Sequence, residues 1–277
     1  MQAPSASPDR YLPVADALLR YRDEGEGPAV LLIHGWTLDL DMWEPQVAAL
    51  GGAFRLIRFD RRGFGLSCGR ASLSADVQDA LRLCDSLRLE RLACLGMSQG
   101  ARVALRLGRI IPERLSCLVL DGPPRAVAVT QEGAEAGEDV PLSEYRSLIV
   151  RGDLETFRRL WAGHPLMQLE TRSARARALL ERMMARYGGE DLLPQPPAPE
   201  DLREPVTDSS LRTPALILTG EHDLPARVRA ADALASALPC AHRAIIRGAR
   251  HLPNLDNPSS YNAVLRAFLE RHAASRP

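Results

Sequence analysis

The stretch that most constrains this chain is Leu92 to Gly100, which reads Leu-Ala-Cys-Leu-Gly-Met-Ser-Gln-Gly. An apolar run ends at Gly96-Met97-Ser98-Gln99-Gly100, and Ala101 to Ile110 follows with helical periodicity. The pattern predicts a strand, a sharp turn and a helix, with a serine at the apex. The flanking glycines have a steric purpose. The turn strains the serine backbone, and a Cβ at either flank would strike the neighbouring strand or helix. Such a turn lifts the Ser98 hydroxyl above a sheet and aims the Gln99 N–H at the same space. The helix N-terminus adds partial positive charge where an oxyanion would form. The motif alone also describes an ordinary strand–helix connection. Its place between a strand and a helix, with partners downstream, favours a nucleophile.

Around this unit, strands and helices alternate. Ala17 to Asp23 reads as an edge strand and Ala29 to Ile33 as a strand buried on both faces. Met42 to Leu50 reads as a helix, Phe54 to Phe59 as a strand, Ser74 to Leu87 as a helix capped by Ser74, and Leu115 to Leu120 as a strand. Alternation at this spacing implies a mostly parallel sheet flanked by helices, an α/β fold. Functional residues then belong at the carboxyl ends of the strands, where His34, Asp60, Ser98 and Asp121 fall.

After Asp121 the alternation stops. Leu142 to Arg151, Leu154 to Ala162 and Arg172 to Tyr187 have helical spacing, and Pro194 to Pro205 is proline-rich and irregular. No good strand occurs between Leu120 and Ala215. The insertion is too long for an ordinary crossover, so residues 122–213 are expected to form a helical cap. Residues 1–121 and 214–277 form the core. Alternation resumes with a strand at Ala215 to Thr219, a helix at Ala226 to Leu238, a short strand at Arg243 to Ile246 and a closing helix at Pro258 to His272.

Composition narrows the chemistry. The 277 residues hold 35 Lys+Arg against 35 Asp+Glu, a formal net charge of zero. That disfavours nucleic acid or an anionic membrane as partner. Every one of those basic residues is arginine, which excludes Schiff-base lysine chemistry and a P-loop lysine. The loop Asp60 to Ser67 also lacks nucleotide-binding glycine spacing, and Asp60 and Arg62 are expected to fix it by local pairing. Five cysteines without a C-x-x-C pair read as free thiols of a reducing compartment. The first residues show no apolar signal core and no stretch reaches membrane-span length, so a cytoplasmic protein is expected. The six histidines lack ligand spacing, and no metal is expected.

Downstream of Ser98, Gly220-Glu221-His222-Asp223 and Gly248-Ala249-Arg250-His251 each follow a strand. With Leu-Ile-His34-Gly35-Trp36 and Asp60-x-Arg62-Gly63-x-Gly65-x-Ser67, they make the chain resemble an α/β-hydrolase from about Ala29 to His272. The chain order serine, acid, histidine is that family's order, and its cap usually follows the sixth strand. A serine nucleophile sets the chain apart from the dehalogenase and epoxide hydrolase branches. It most resembles the small esterase and lactonase-like members.

The resemblance implies a serine hydrolase acting without a cofactor on a small carboxylic ester or lactone. Ser98 is the expected nucleophile, His251 its base and Asp223 the orienting acid. Asp121, at the end of the sixth strand, is the rival acid. The backbone N–H groups of Gln99 and Trp36 are the expected oxyanion donors. His34, Trp36, Phe157 and Trp161 are candidates for the substrate pocket, and His164 is expected at the surface. The alternatives are C–C bond hydrolysis, thioester hydrolysis or acyl transfer by the same triad, or a hydrolase-fold ligand receptor.

Overall fold

A computed structural model describes residues 7–123, 140–194 and 211–273. Among these residues eight strands are arranged in one sheet: β1 (Arg10–Val14), β2 (Ala17–Glu24), β3 (Ala29–Ile33), β4 (Arg55–Phe59), β5 (Leu92–Met97), β6 (Leu115–Asp121), β7 (Ala215–Gly220) and β8 (Ala241–Ile246). Their order is β1-β2-β4-β3-β5-β6-β7-β8. β1 and β2 pair antiparallel, as do β2 and β4, and every later pairing is parallel. β3, β5 and β6 are buried along their whole length. This is why they read as unbroken apolar runs without alternation.

The helices are α1 (Glu44–Leu50), α2 (Leu73–Ser86), α3 (Gln99–Ile110), α4 (Leu142–Val150), α5 (Leu154–Gly163), α6 (Ala174–Arg186), α7 (Pro225–Ala237), α8 (Pro253–Asp256) and α9 (Pro258–His272). The chain passes from β3 to β4 on one side of β3 and then back across β3 to β5 on the other. The carboxyl ends of β3 and β5 therefore flank the switch point where α/β sheets hold their ligands.

Several boundaries differ from the sequence reading, each for a local reason. The sheet edge is β1, not β2. Pro13 inside β1 suits an edge strand, because it leaves no inward ladder bond unmade. The helix expected at Met42 to Leu50 is a 3-10 turn at Leu40–Trp43 followed by α1. The backbone departs from α geometry at Trp43 (φ −90°, ψ 5°), and Pro45 sits in the first turn of α1, where its missing N–H leaves no helix bond unmade. α2 is capped by Ser72, not Ser74: the Ser72 hydroxyl accepts the Ala75 N–H. Between β6 and β7 the described residues hold helices only, at the places the spacing predicts. The expected irregular run Pro194 to Pro205 lies outside the described residues beyond Pro194.

Two apolar layers cover the sheet. One is formed on the side of α2, α3 and α7, by residues such as Ile33, Val103, Leu107 and Leu234. The other joins Val30, Leu95 and Val119 to Trp43 and α9, and continues without a break into Tyr145, Phe157, Leu180 and Met183 of α4 to α6. The helical insertion thus shares one continuous apolar core with this layer, and α6 packs on the 3-10 turn Leu40–Trp43. Cys84, Cys94 and Cys117 are buried in these layers and Cys68 and Cys240 are exposed, all as free thiols. Burial pushes the Cys84 and Cys117 thiols up to about 12, so they are packing groups and not thiolates.

Candidate active site

Ser98 sits between β5 and α3 at φ +50°, ψ −113°, a conformation that side chains rarely adopt. Its N–H donates to the Asp121 carbonyl at 2.8 Å, which ties the turn to the end of β6. The glycine requirement inferred from the motif is visible in space. A Cβ on Gly96 would stand 2.1 Å from the Gly100 carbonyl oxygen, and one on Gly100 would stand 2.3 Å from that of Ile33. Neither contact is with a flexible side chain, so neither can be relieved without moving backbone.

His251 and Asp223 are brought to this turn by two stitched loops. The His222 N–H donates to the Ala249 carbonyl at 2.8 Å, and the Glu221 N–H to that of Ile246 at 2.9 Å. His251 Nδ1 lies 2.9 Å and 3.1 Å from the two oxygens of Asp223, whose side chain is fully buried. A ring nitrogen facing a carboxylate carries the proton, so neutral His251 keeps Nε2 as an acceptor. Asp223 Oδ1 also accepts the Leu224 N–H at 2.7 Å. Gly122 fits against the imidazole edge: a Cβ there would be 2.8 Å from His251 Cε1.

The rival acid has a different neighbour. Asp121 accepts a hydrogen bond from the Tyr261 hydroxyl at 3.0 Å. Burial holds its carboxyl well above the usual range, and the nearby Asp223 charge adds to this.

Ser98, Gln99 and His251 line one cavity of about 260 Å³, together with Trp36, Trp161 and apolar residues of core and insertion including Leu38, Leu142 and Leu252. Two of the expected pocket residues are elsewhere. Phe157 is completely buried among Trp36, Tyr145 and Tyr187 and does not reach the cavity. His34 is also completely buried: it stands beneath the loop, with Nδ1 donating to the Gly35 carbonyl at 2.7 Å and Nε2 accepting the Arg61 N–H at 2.9 Å. Both ring nitrogens are used, and burial beside Arg61 depresses its pKa, so His34 is a neutral strut. His164 is buried instead of exposed. It stacks on Trp161 and its Nδ1 accepts the Leu166 N–H.

Several groups that hold the site carried no motif. The buried Arg61 bonds Asp76 at 3.1 Å and the Gln99 side chain at 3.0 Å, and stacks on Phe64. The Trp36 indole donates to Asp191 at 2.7 Å and the Trp161 indole to Thr37 Oγ1 at 2.7 Å, so two hydrogen bonds join the Gly35–Thr37 loop to the insertion. Arg186 of α6 adds ion pairs to Asp39 at 2.9 Å and Asp41 at 2.6 Å. Asp60 and Arg62 do fix their loop, though through separate partners. Asp60 accepts the N–H groups of Leu40 and Leu66, while Arg62 pairs with Asp79 and Asp16. Arg61 sits in a loop the sequence singled out, but nothing in one dimension says which of its neighbours it meets.

Residues 28–258 match the family described as alpha/beta hydrolase fold. The chain belongs to the α/β-hydrolase fold family. Among curated relatives, a pimeloyl-(acyl-carrier protein) methyl ester esterase of Nitrosomonas europaea is 27% identical over 255 residues, covering 88% of this chain and 97% of that protein. An (E)-2-((N-methylformamido)methylene)succinate hydrolase of Acinetobacter baylyi is 26% identical over 259 residues, covering 90% and 93%. In space, a thermophilic esterase from Thermogutta terrifontis superposes with a TM-score of 0.77 at 24% identity over 97% of this chain and all of that one. The expectation of an α/β-hydrolase enzyme of the esterase kind agrees with these likenesses. Among the described residues no helix is long and apolar enough to cross a membrane, and no group of three His, Cys, Asp or Glu is placed to hold a metal ion.

Proposed function

We propose that this enzyme is a serine hydrolase of small carboxylic esters or lactones. In this reading Ser98 is the nucleophile, His251 the base and Asp223 the acid, and residues 122–213 are the cap over the site. The observation that carries it is one cavity lined by Ser98 on its strained turn and by His251, whose Nδ1 is held by a buried Asp223. His251 Nε2 takes the Ser98 proton as Oγ attacks the carbonyl. The backbone N–H groups of Gln99 and Trp36 receive the oxyanion, and the alkoxide leaves with the proton from His251. Water activated by the same imidazole then releases the acid and restores the hydroxyl.

The curated relatives named as esterases support an ester over a C–C bond as the bond cleaved. Asp223 as acid is supported by its contact with His251 Nδ1, against Asp121, which bonds Tyr261. The test combines labelling and turnover. A fluorophosphonate probe should modify Ser98, located by peptide mass spectrometry. A panel of short p-nitrophenyl esters and lactones should be hydrolysed. Ser98→Ala should lose the label and roughly 10⁶-fold in kcat while keeping its circular dichroism. Labelling elsewhere with full activity in Ser98→Ala overturns the assignment.

A further inference from the structure

The cavity at Ser98 holds a charge that the reaction just described does not use. Its lining among the described residues is mostly apolar, yet it includes two arginines, Arg102 and Arg227, and no carboxylate. Arg102 is the fourth residue after Ser98, so it lies one turn along α3 on the face that carries the nucleophile. Other arginines around the site are matched to acids: Arg61 to Asp76, Arg62 to Asp79, Arg186 to Asp39 and Asp41. Arg102 is partly buried and has no hydrogen-bond or ion-pair partner among the described residues. Burial lowers its pKa, and no carboxylate offsets that effect. The whole chain is formally neutral, so the positive lining of the cavity is a local feature and not an overflow of bulk charge.

A half-desolvated guanidinium without a counter-ion is a poor arrangement for stability alone. It becomes a favourable one when a ligand brings the missing charge, because the planar fork accepts a carboxylate with two parallel hydrogen bonds. Arg102, in the first turn of α3, and Ser98, at its N-cap, line the same small cavity, so a carboxylate on Arg102 is only a few methylenes from a carbonyl held at Ser98. A cavity of about 260 Å³ has room for a short chain of this kind.

We infer that Arg102 is a specificity-determining residue that binds a free carboxylate on the acyl part of the substrate, which makes the preferred substrates half-esters of short dicarboxylic acids. The inference rests on the ester-hydrolase reading above and deepens it. Monomethyl adipate and dimethyl adipate share one acyl chain and one leaving group and differ in the charge at the far end.

The experiment compares kcat/KM for the two esters at pH 7.5 in wild type, Arg102→Gln and Arg102→Lys. Wild type should prefer the half-ester. In Arg102→Gln the half-ester to diester ratio should fall by roughly 10- to 100-fold, the scale of one hydrogen-bonded charge, mainly through KM. Arg102→Lys should recover part of the ratio. A wild-type preference for the diester, or a ratio in Arg102→Gln within about twofold of wild type, overturns the inference. A merely structural Arg102 would lower both rates together and leave the ratio alone. If wild type turns over neither ester, the ester-hydrolase reading fails separately, and the carboxylate site is then read by titration calorimetry with monomethyl adipate. Binding to wild type that weakens at least 10-fold in Arg102→Gln supports the site. No binding, or equal binding to both proteins, refutes it.

Discussion

At the scale of single residues, the site depends on which of two aspartates faces His251. Asp223 gives its two oxygens to Nδ1, while Asp121 spends one on Tyr261 and is pushed towards its neutral form by burial. Asp223→Asn should therefore cost about 10⁴-fold in kcat, because an amide can hold the imidazole in the wrong tautomer. Asp121→Asn should cost far less, since an asparagine still accepts from the Tyr261 hydroxyl. Steady-state kinetics on a p-nitrophenyl ester decides between them, and a reversed order would move the acid to the end of β6. The positions of both acids were legible as residues at strand ends. Their partners were not, because a side chain's rotamer is set by neighbours 28 and 140 positions away in sequence.

At the scale of elements, the packing of α4 to α6 separates two aromatic residues that the sequence treats alike. Trp161 lines the cavity, whereas Phe157, one turn earlier on α5, is sealed among Trp36, Tyr145 and Tyr187. Trp161→Ala should change the ratio of kcat/KM between short and long acyl chains by roughly 10–200-fold at most. Phe157→Ala should lose about 3–5 kcal/mol of stability with that ratio intact. A Phe157 variant with altered acyl-chain preference would place it in the pocket after all.

The contact of α6 with the core also has a pH dependence. Burial, with Asp60 and Asp41 close by, pushes the Asp39 carboxyl up to about 7, although Arg186 pulls the other way. The unfolded chain releases this proton near pH 4, while the folded chain keeps it to about 7. The stability linked to that proton is thus full at low pH and is lost as pH rises from about 4 through about 7. Asp39→Asn cannot titrate and still offers an acceptor to the Asp41 N–H. The stability of wild type relative to Asp39→Asn, from urea unfolding at pH 5, 6.5 and 8, should decline with pH. A difference that stays constant or grows would rule out a raised Asp39.

At the scale of the whole molecule, one apolar layer runs from the sheet through Trp43 and α9 into the inserted helices. Hydrogen bonds from Trp36 and Trp161 and the ion pairs of Arg186 cross the same boundary. An insertion held this way has little stability of its own to lose first. Fluorescence, which reports on Trp36, Trp43 and Trp161 on both sides of the boundary, should follow the same urea transition as far-ultraviolet circular dichroism. Two separated transitions would show that the insertion opens independently.

What the sequence by itself determined was the α/β alternation, the eventual family and the chemistry-bearing residues Ser98, Asp223 and His251 as candidates. Those signals are local: a buried strand is a short apolar run, a strained turn demands glycine, and a helix repeats every 3.6 residues. Tertiary structure alone decided that β1 forms the edge, that His34 is a strut and Phe157 a packing residue, and that Arg61 and Asp191 brace the site. It also decided that Arg102 lines the cavity with no acid beside it among the described residues. Each of these turns on which distant side chain supplies a partner or a wall. Such pairings are made when the sheet order and the docking of the insertion bring separate stretches together, and they leave no periodic trace along the chain.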